Sequence, residues 1–220
     1  MRRLLAAALL AAVATHCPAP AAQQTIGAEV LRERAEAGDV RAMRALAEAY
    51  YLGRGGVTQD FAAAARWYRK LAARGEAGAQ TTLGLMYARG WGLAPNLAEA
   101  RRWWSLAAAQ NDPGAQHNLG MVYLQGQGVA RDLPQALHWL RRAAERGHVA
   151  AQRIVGLMYY DGEGTTRDVE TGLTWLTIAA ENGEEGAQQA LQAIAGKVSG
   201  QERSEARARA LEWIKAHPPR

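Results

Sequence analysis

Four histidines lie beyond the N-terminal region: His117, His138, His148 and His217. They are the first residues to test for metal or acid–base chemistry. A zinc site needs three or four His, Cys or carboxylate ligands gathered together, often two of them one helical turn apart. No H-E-x-x-H and no close His/Cys/carboxylate cluster occurs. The histidines are therefore expected on solvated helix faces, with no metal and no cofactor. Acyl transfer would need S-x-x-K or G-x-S-x-G, and neither is present. Gly196-Lys197 is followed by Val198, so it is not a phosphate loop. Glu48 and Asp161 are carboxylates that a groove might bring together, but their sequence positions set no paired geometry for glycoside chemistry. The expectation is a chain without catalytic activity.

The informative pattern is a spacing. Trp67, Trp103, Trp139 and Trp175 are each 36 residues apart. A fixed period of that size marks stacked supersecondary units instead of one globular core. Each unit reads as helix A, a Gly-rich turn and helix B. In unit two, helix A covers about residues 79–89, with Ala79, Leu83, Gly84 and Tyr87 spaced to share one side. Gly90-Trp91-Gly92 stops it, because glycine accepts the left-handed turn of a helix end. Helix B covers about residues 97–110 and carries Ala100, Trp103, Trp104, Ala107 and Ala108. Units one, three and four repeat this plan, and unit one has one extra residue near Gly56.

Gly84, Gly120 and Gly156 sit mid-helix, where glycine costs about 1 kcal/mol against alanine. That cost is sensible where another helix passes too close for a side chain. Each tryptophan covers roughly 150–250 Å² of apolar surface. The tryptophan stripe is therefore read as core, with Trp139→Ala expected to cost about 3–5 kcal/mol and to unfold neighbouring units.

The organisation expected along the chain is as follows. Residues 1–21 read as a secretory signal: Arg2 and Arg3, an apolar stretch over 4–13, and Ala19 with Ala21 as an A-x-A cleavage site. The apolar stretch is too short to span a bilayer, so no stable membrane span is expected after cleavage. Cys17, the only cysteine, would leave with the signal, and His16 before it does not suit lipid attachment. Residues 22–37 form an N-terminal capping helix. Four repeats cover residues 38–182, as 38–74, 75–110, 111–146 and 147–182. A partial fifth repeat and a C-terminal capping helix occupy residues 183–220, with Ser199 and Glu202 as a capping box. The expected location is periplasmic or secreted.

Composition narrows the partners. Hydrophobic residues make up 49% and charged residues 21%, which is globular and not disordered. The net charge of +5 includes Arg2 and Arg3, so the rest carries +3. No basic run is interleaved with aromatics, and nucleic acid is not an expected partner.

The string Ala-Gln-x-x-Leu-Gly-x-x-Tyr-x-x-Gly-x-Gly, followed by Ala-x-x-Trp-x-x-x-Ala-Ala, resembles the Sel-one-like repeat family, relatives of tetratricopeptide repeats with a longer loop. Ala79-Gln80, Ala115-Gln116, Ala151-Gln152 and Ala187-Gln188 all carry the opening pair, whereas unit one departs with Ala42-Met43 and Ala47. The resemblance covers residues 38 to about 195. It implies an all-α, right-handed α-solenoid superhelix of antiparallel helix pairs, and adaptor roles in assembling complexes or holding signalling proteins. Some cysteine-rich members are associated with β-lactam binding or hydrolysis. Their stapling cysteines are absent here, so that association is not carried over.

If helices A line the concave side, as the resemblance implies, four columns face a groove. The first contains Arg44, His117 and Arg153, and the second Glu48, Leu85, Met121 and Leu157. The third contains Tyr51, Leu124 and Tyr160, and the fourth Arg89. An apolar stripe beside arginines suits a protein or peptide partner. Capture of cell-wall glycan or peptide, or a hydrolase acting on cell wall or β-lactam, are the alternatives. Trp91 takes a loop position that holds Arg54, Gln127 and Glu163 in other units, so it is either an exposed anchor or folded over its own unit.

Overall fold

The computed structural model describes residues 21–218. The expected signal segment lies outside the described residues, except for Ala21, which opens the first helix. Eleven α-helices occur among the described residues: α1 (Ala21–Glu36), α2 (Val40–Leu52), α3 (Phe61–Ala73), α4 (Ala77–Arg89), α5 (Leu97–Ala109), α6 (Pro113–Gln125), α7 (Leu133–Glu145), α8 (Val149–Asp161), α9 (Val169–Glu181), α10 (Glu185–Ile194) and α11 (Gly200–Ala216). A single 3₁₀ turn, Ala195–Lys197, separates the last two. No strand occurs among the described residues. Successive helices from α1 to α10 pack on one another, and α11 returns onto α9, which builds a right-handed α-solenoid of helix pairs.

Local chemistry explains the boundaries. Helices α2, α4, α6 and α8 end on Gly53, Gly90, Gly126 and Gly162, with φ of 66°, 71°, 68° and 78°. A side chain is strained in that left-handed region and glycine is not. The helices that follow start on Asp60, Asn96, Asp132 and Asp168, whose side chains accept from backbone N–H groups of the first turn. Such caps contribute about 1 kcal/mol each. The loop is locked from within as well: Asn96 donates its backbone N–H to the Tyr87 carbonyl, and Asp132 and Asp168 do the same to Tyr123 and Tyr159.

The mid-helix glycines sit under helix B. A Cβ on Gly120 would lie 2.5 Å from Leu140 Cγ, and one on Gly84 would lie 2.5 Å from Trp104 Nε1. At Gly156 the nearest neighbour is Leu176 Cγ, at 2.7 Å. The residue that fills the gap is therefore the one after each repeat tryptophan. In unit one Ala47 replaces the glycine, and Ala47 and Tyr68 are both buried in one cluster.

This relocates the centre of the core. Trp67 and Trp103 are buried, but Trp139 and Trp175 are only half-buried. Each of Trp103, Trp139 and Trp175 reaches back onto the preceding layer's cluster. Lys70, Arg102 and Arg142 lie over the rings of Trp67, Trp103 and Trp139, at 4.2, 4.4 and 5.2 Å from the centroids. The stripe is an edge seam between layers, and Leu140 and Leu176 are the fully enclosed side chains.

Helices α1 and α11 pack onto the neighbouring repeats. In α1, Ala35 is fully buried and Leu31 packs beside it. In α11, Ala206 and Ala210 are buried, Trp213 meets Trp175 edge-on at 5.4 Å, and Ser199 with Glu202 forms the reciprocal capping box.

Partial exposure lowers the expected cost of losing Trp139. Trp139→Ala is expected to cost about 2–3 kcal/mol, and Leu140→Ala about 3–5 kcal/mol. Urea unfolding of the two variants tests that order, and a larger loss for Trp139→Ala would return the tryptophans to the centre of the core.

Candidate interaction site

The first helix-A column faces the next layer. Arg44 pairs with Glu76, Thr81 Oγ1 donates to Asp112 at 2.9 Å, and Arg153 pairs with Glu184 at 3.1 Å. His117 stacks on His148, with centroids 4.4 Å apart and planes 15° from parallel. In every case the partner is the N-cap residue of the following helix A. Three of the four partners are carboxylates, which a helix N-terminus favours. Of the residues expected to line the groove, Arg44, His117 and Arg153 have their polar or aromatic groups engaged across the joints, and Arg44 stays exposed.

The third joint differs from the others. His148 caps α8 by accepting from Ala151 N–H through Nδ1 at 3.3 Å, which requires the neutral ring. Burial, with the neighbouring His148 ring adding to it, holds His117 down at about 4. Burial also lowers His148.

Leu85, Met121 and Leu157 occupy one register in three successive layers, and all are half-buried. Leu85 also leans on the α5–α6 cluster and Leu157 on the cluster that joins α8 to α9, α10 and α11. Leu124 is half-buried, while Glu48 and Arg89 are exposed. Glu48 lies near Tyr68, whose hydroxyl burial raises to about 12, with the carboxylate adding to the shift.

Tyr160, expected in the groove, and Trp91, the loop candidate, both pack inward. Tyr160 is buried, at 8% exposure, against α9. Gly172 admits it, since a Cβ there would lie 2.8 Å from Tyr160 N, where other units carry Ala64, Ala100 and Ala136. Arg167 then covers the ring at 5.3 Å. Trp91 is half-buried and turned back on unit one, stacked on Phe61 at 5.6 Å and edge-on to Tyr51 at 5.9 Å. Neither an exposed anchor nor a cover over its own unit describes it. Tyr51 is half-buried in the same aromatic group.

Sequence reasoning missed a polar ladder in the core. Gln80, Gln116 and Gln152 are buried, and their Nε2 groups donate to the carbonyls of Ala72, Ala108 and Ala144 at 3.1, 3.3 and 3.2 Å. A glutamine inside each apolar opening, beside the repeated alanine, was the available signal. It ties each helix A to the end of the preceding helix B.

Among the described residues, no group of three His, Cys, Asp or Glu is placed to hold a metal ion. No helix among them is long and apolar enough to cross a membrane.

Paired thirteen-residue helices, joined through N-cap contacts at a 36-residue period, define an α-solenoid repeat protein. A sequence model of the Sel1 repeat matches residues 40–76, 77–112, 113–148 and 149–184. The chain belongs to the Sel1 repeat family. No curated protein matched it. Among solved structures it is similar to c5321, a protective antigen present in uropathogenic Escherichia coli strains and displaying an SLR fold: 34% identity, 87% of this chain, 41% of that one, TM-score 0.79. It is also similar to a Sel1 repeat protein from Oxalobacter formigenes, at 34% identity over 76% of this chain and 48% of that one, with a TM-score of 0.68. The chain thus spans less than half the length of either relative. The immunity protein Pa5087 from Pseudomonas aeruginosa shares the fold, at 21% identity over 86% of this chain and 72% of that one, with a TM-score of 0.51. Sel1 repeats commonly serve protein–protein interaction and are generally non-catalytic scaffolds.

The histidine joint has a pH consequence. A folded-state value below the unfolded 6.5 means that the unfolded chain binds more protons as pH falls. The contribution of this joint is complete above about pH 6.5 and is lost as pH falls toward 4. His148→Asp restores an acidic cap facing His117. It is expected to gain about 1–2 kcal/mol on wild type at pH 5 relative to the difference at pH 7.5, read from urea midpoints. An equal difference at both pH values would contradict this reading.

Proposed function

We propose that the chain is a non-catalytic, secreted or periplasmic adaptor or regulator that binds a protein through its helix-A row. The observation that carries this reading is the half-exposed apolar register of Leu85, Met121 and Leu157, crossing three layers with Leu124 beside it. Glu48 and Arg89 stand at its margin as exposed charges. An amphipathic helix or extended peptide buries apolar side chains in such a stripe and sets its direction through flanking charges. With Arg44, His117 and Arg153 engaged across the joints and Tyr160 buried, the binding surface is narrower than the four columns taken together.

The decisive variant is Met121→Glu, which places a charge in the middle of the stripe without touching a joint. Partner capture from an envelope extract is expected to fall at least tenfold, with the far-UV circular dichroism and melting curve preserved. Undiminished recovery of every wild-type partner by this variant would rule the stripe out.

A further inference from the structure

The two helix rows differ in charge. Helices α3, α5 and α7 together carry seven Lys and Arg and two Glu, whereas their partners α2, α4 and α6 carry three Arg and one Glu. In the linear sequence no basic run is visible, because these cations recur one repeat apart. The fold brings them together. Arg66 and Arg102 are equivalent positions in successive layers, as are Arg69 and Arg141, and Lys70 and Arg142.

Little inside the molecule neutralises this row. Arg102 pairs with Glu99 and Arg141 with Glu145, each within its own helix. Among the described residues, no carboxylate pairs with Arg66, Arg69, Lys70, Arg101 or Arg142. The joint arginines of the helix-A row behave in the opposite way: Arg44 and Arg153 both have carboxylate partners. The basic field also has an end. Helix α9 carries no Lys or Arg, and its Glu170 and Glu181 pair with Arg209 and Arg207 of α11. At the other end, Arg32 joins Arg66 and Lys70 around a cleft of about 360 Å³ bordered by Trp67 and Tyr50, with Glu36 as its one carboxylate.

Like charges gathered without internal partners repel one another and are compensated by something outside the fold. Three features favour a surface over a single acidic segment. The charges spread across three layers as well as along each helix, so no one extended chain or helix meets them all. Six of the seven are arginines, whose planar fork pairs two oxygens of a phosphate at once. An indole ring sits under one cation in each layer, and Leu106, in the register of Lys70 and Arg142, is 43% exposed at the centre. The cations cover the indoles, of which Trp67 and Trp103 are buried, so the apolar side chain left open within the basic field is Leu106. We propose that the helix-B row of units one to three docks this chain on an anionic phospholipid surface, peripherally, leaving the helix-A row open to a protein.

The test is co-sedimentation of the full chain with vesicles of phosphatidylcholine alone and of phosphatidylcholine with 30% phosphatidylglycerol. A variant with Arg66→Glu, Arg69→Glu and Arg141→Glu is run in parallel. None of these three arginines lies over a tryptophan, and both proteins keep the apolar N-terminal residues, so their difference reads the row alone. Wild type is expected to bind the anionic vesicles at least tenfold more tightly than neutral ones, to lose that preference in 0.5 M NaCl, and to lose it in the triple variant. Arg89→Glu, on the other row, is expected to keep it. If the triple reversal fails to fold by circular dichroism, Arg66→Gln with Arg69→Gln and Arg141→Gln takes its place. Equal binding to both vesicle types, or an anionic preference that survives the reversal, overturns the proposal. So does charge-dependent binding to poly-glutamate with none to vesicles, which would assign the row to an acidic protein. Loss of vesicle binding leaves the Met121→Glu capture result unaffected, so the two readings fail separately.

Discussion

The structure depends on how closely helix B crosses the middle of helix A. At Gly120 and Gly156 the crossing leaves no room for even a methyl group, and the space is taken by Leu140 and Leu176. Glycine is a poor helix former, at about 1 kcal/mol per site against alanine. The enclosed leucine offsets that by removing apolar surface from water on both sides of the pair. Once the crossing is fixed, the rest of the layer follows. The glycine turn and the Asp or Asn cap set where helix B begins, and the tryptophan one residue earlier is left at the edge, against the layer before.

Layers are held in register by polar contacts that vary from joint to joint. The buried glutamines bond to carbonyls at the end of the preceding helix B, and the N-cap of each helix A meets a side chain of the helix A before it. Both contacts lie between adjacent layers, which is how a solenoid acquires its stiffness one interface at a time. The third joint is the exception. It replaces a carboxylate with a histidine and holds two neutral rings face to face. Its contribution fades as pH falls below about 6.5 toward 4, because protonation would charge two half-buried rings that face each other.

Much of this was legible in the sequence, and the illegible parts have physical reasons. The tryptophan spacing, the turn glycines and the Ala-Gln pairs gave the period, the helix ends and the family resemblance. Leu140 gave no sign of its importance, because a leucine beside a tryptophan is unremarkable until the partner glycine is placed under it. The burial of Tyr160 had a signal, in Gly172 standing where other units carry alanine, but only a close approach gives that difference its meaning. The fate of Trp91 depended on Phe61, the only phenylalanine of the chain, thirty residues earlier across a layer boundary. The first column faces the groove only on the resemblance, which puts helices A on the concave side, combined with helical periodicity. Periodicity gives the face but not how near the next N-cap lies.

The most direct measurement of the central claim is a double-mutant cycle between Gly120→Ala and Leu140→Ala, with stabilities from urea unfolding. The added methyl should cost about 1–3 kcal/mol with Leu140 present, despite alanine's better helix propensity. With Leu140 trimmed to alanine it should cost nothing or stabilise, a coupling of about 1–3 kcal/mol. Additive effects, or a Gly120→Ala variant more stable than wild type, would show that the helices do not meet there and would contradict the account.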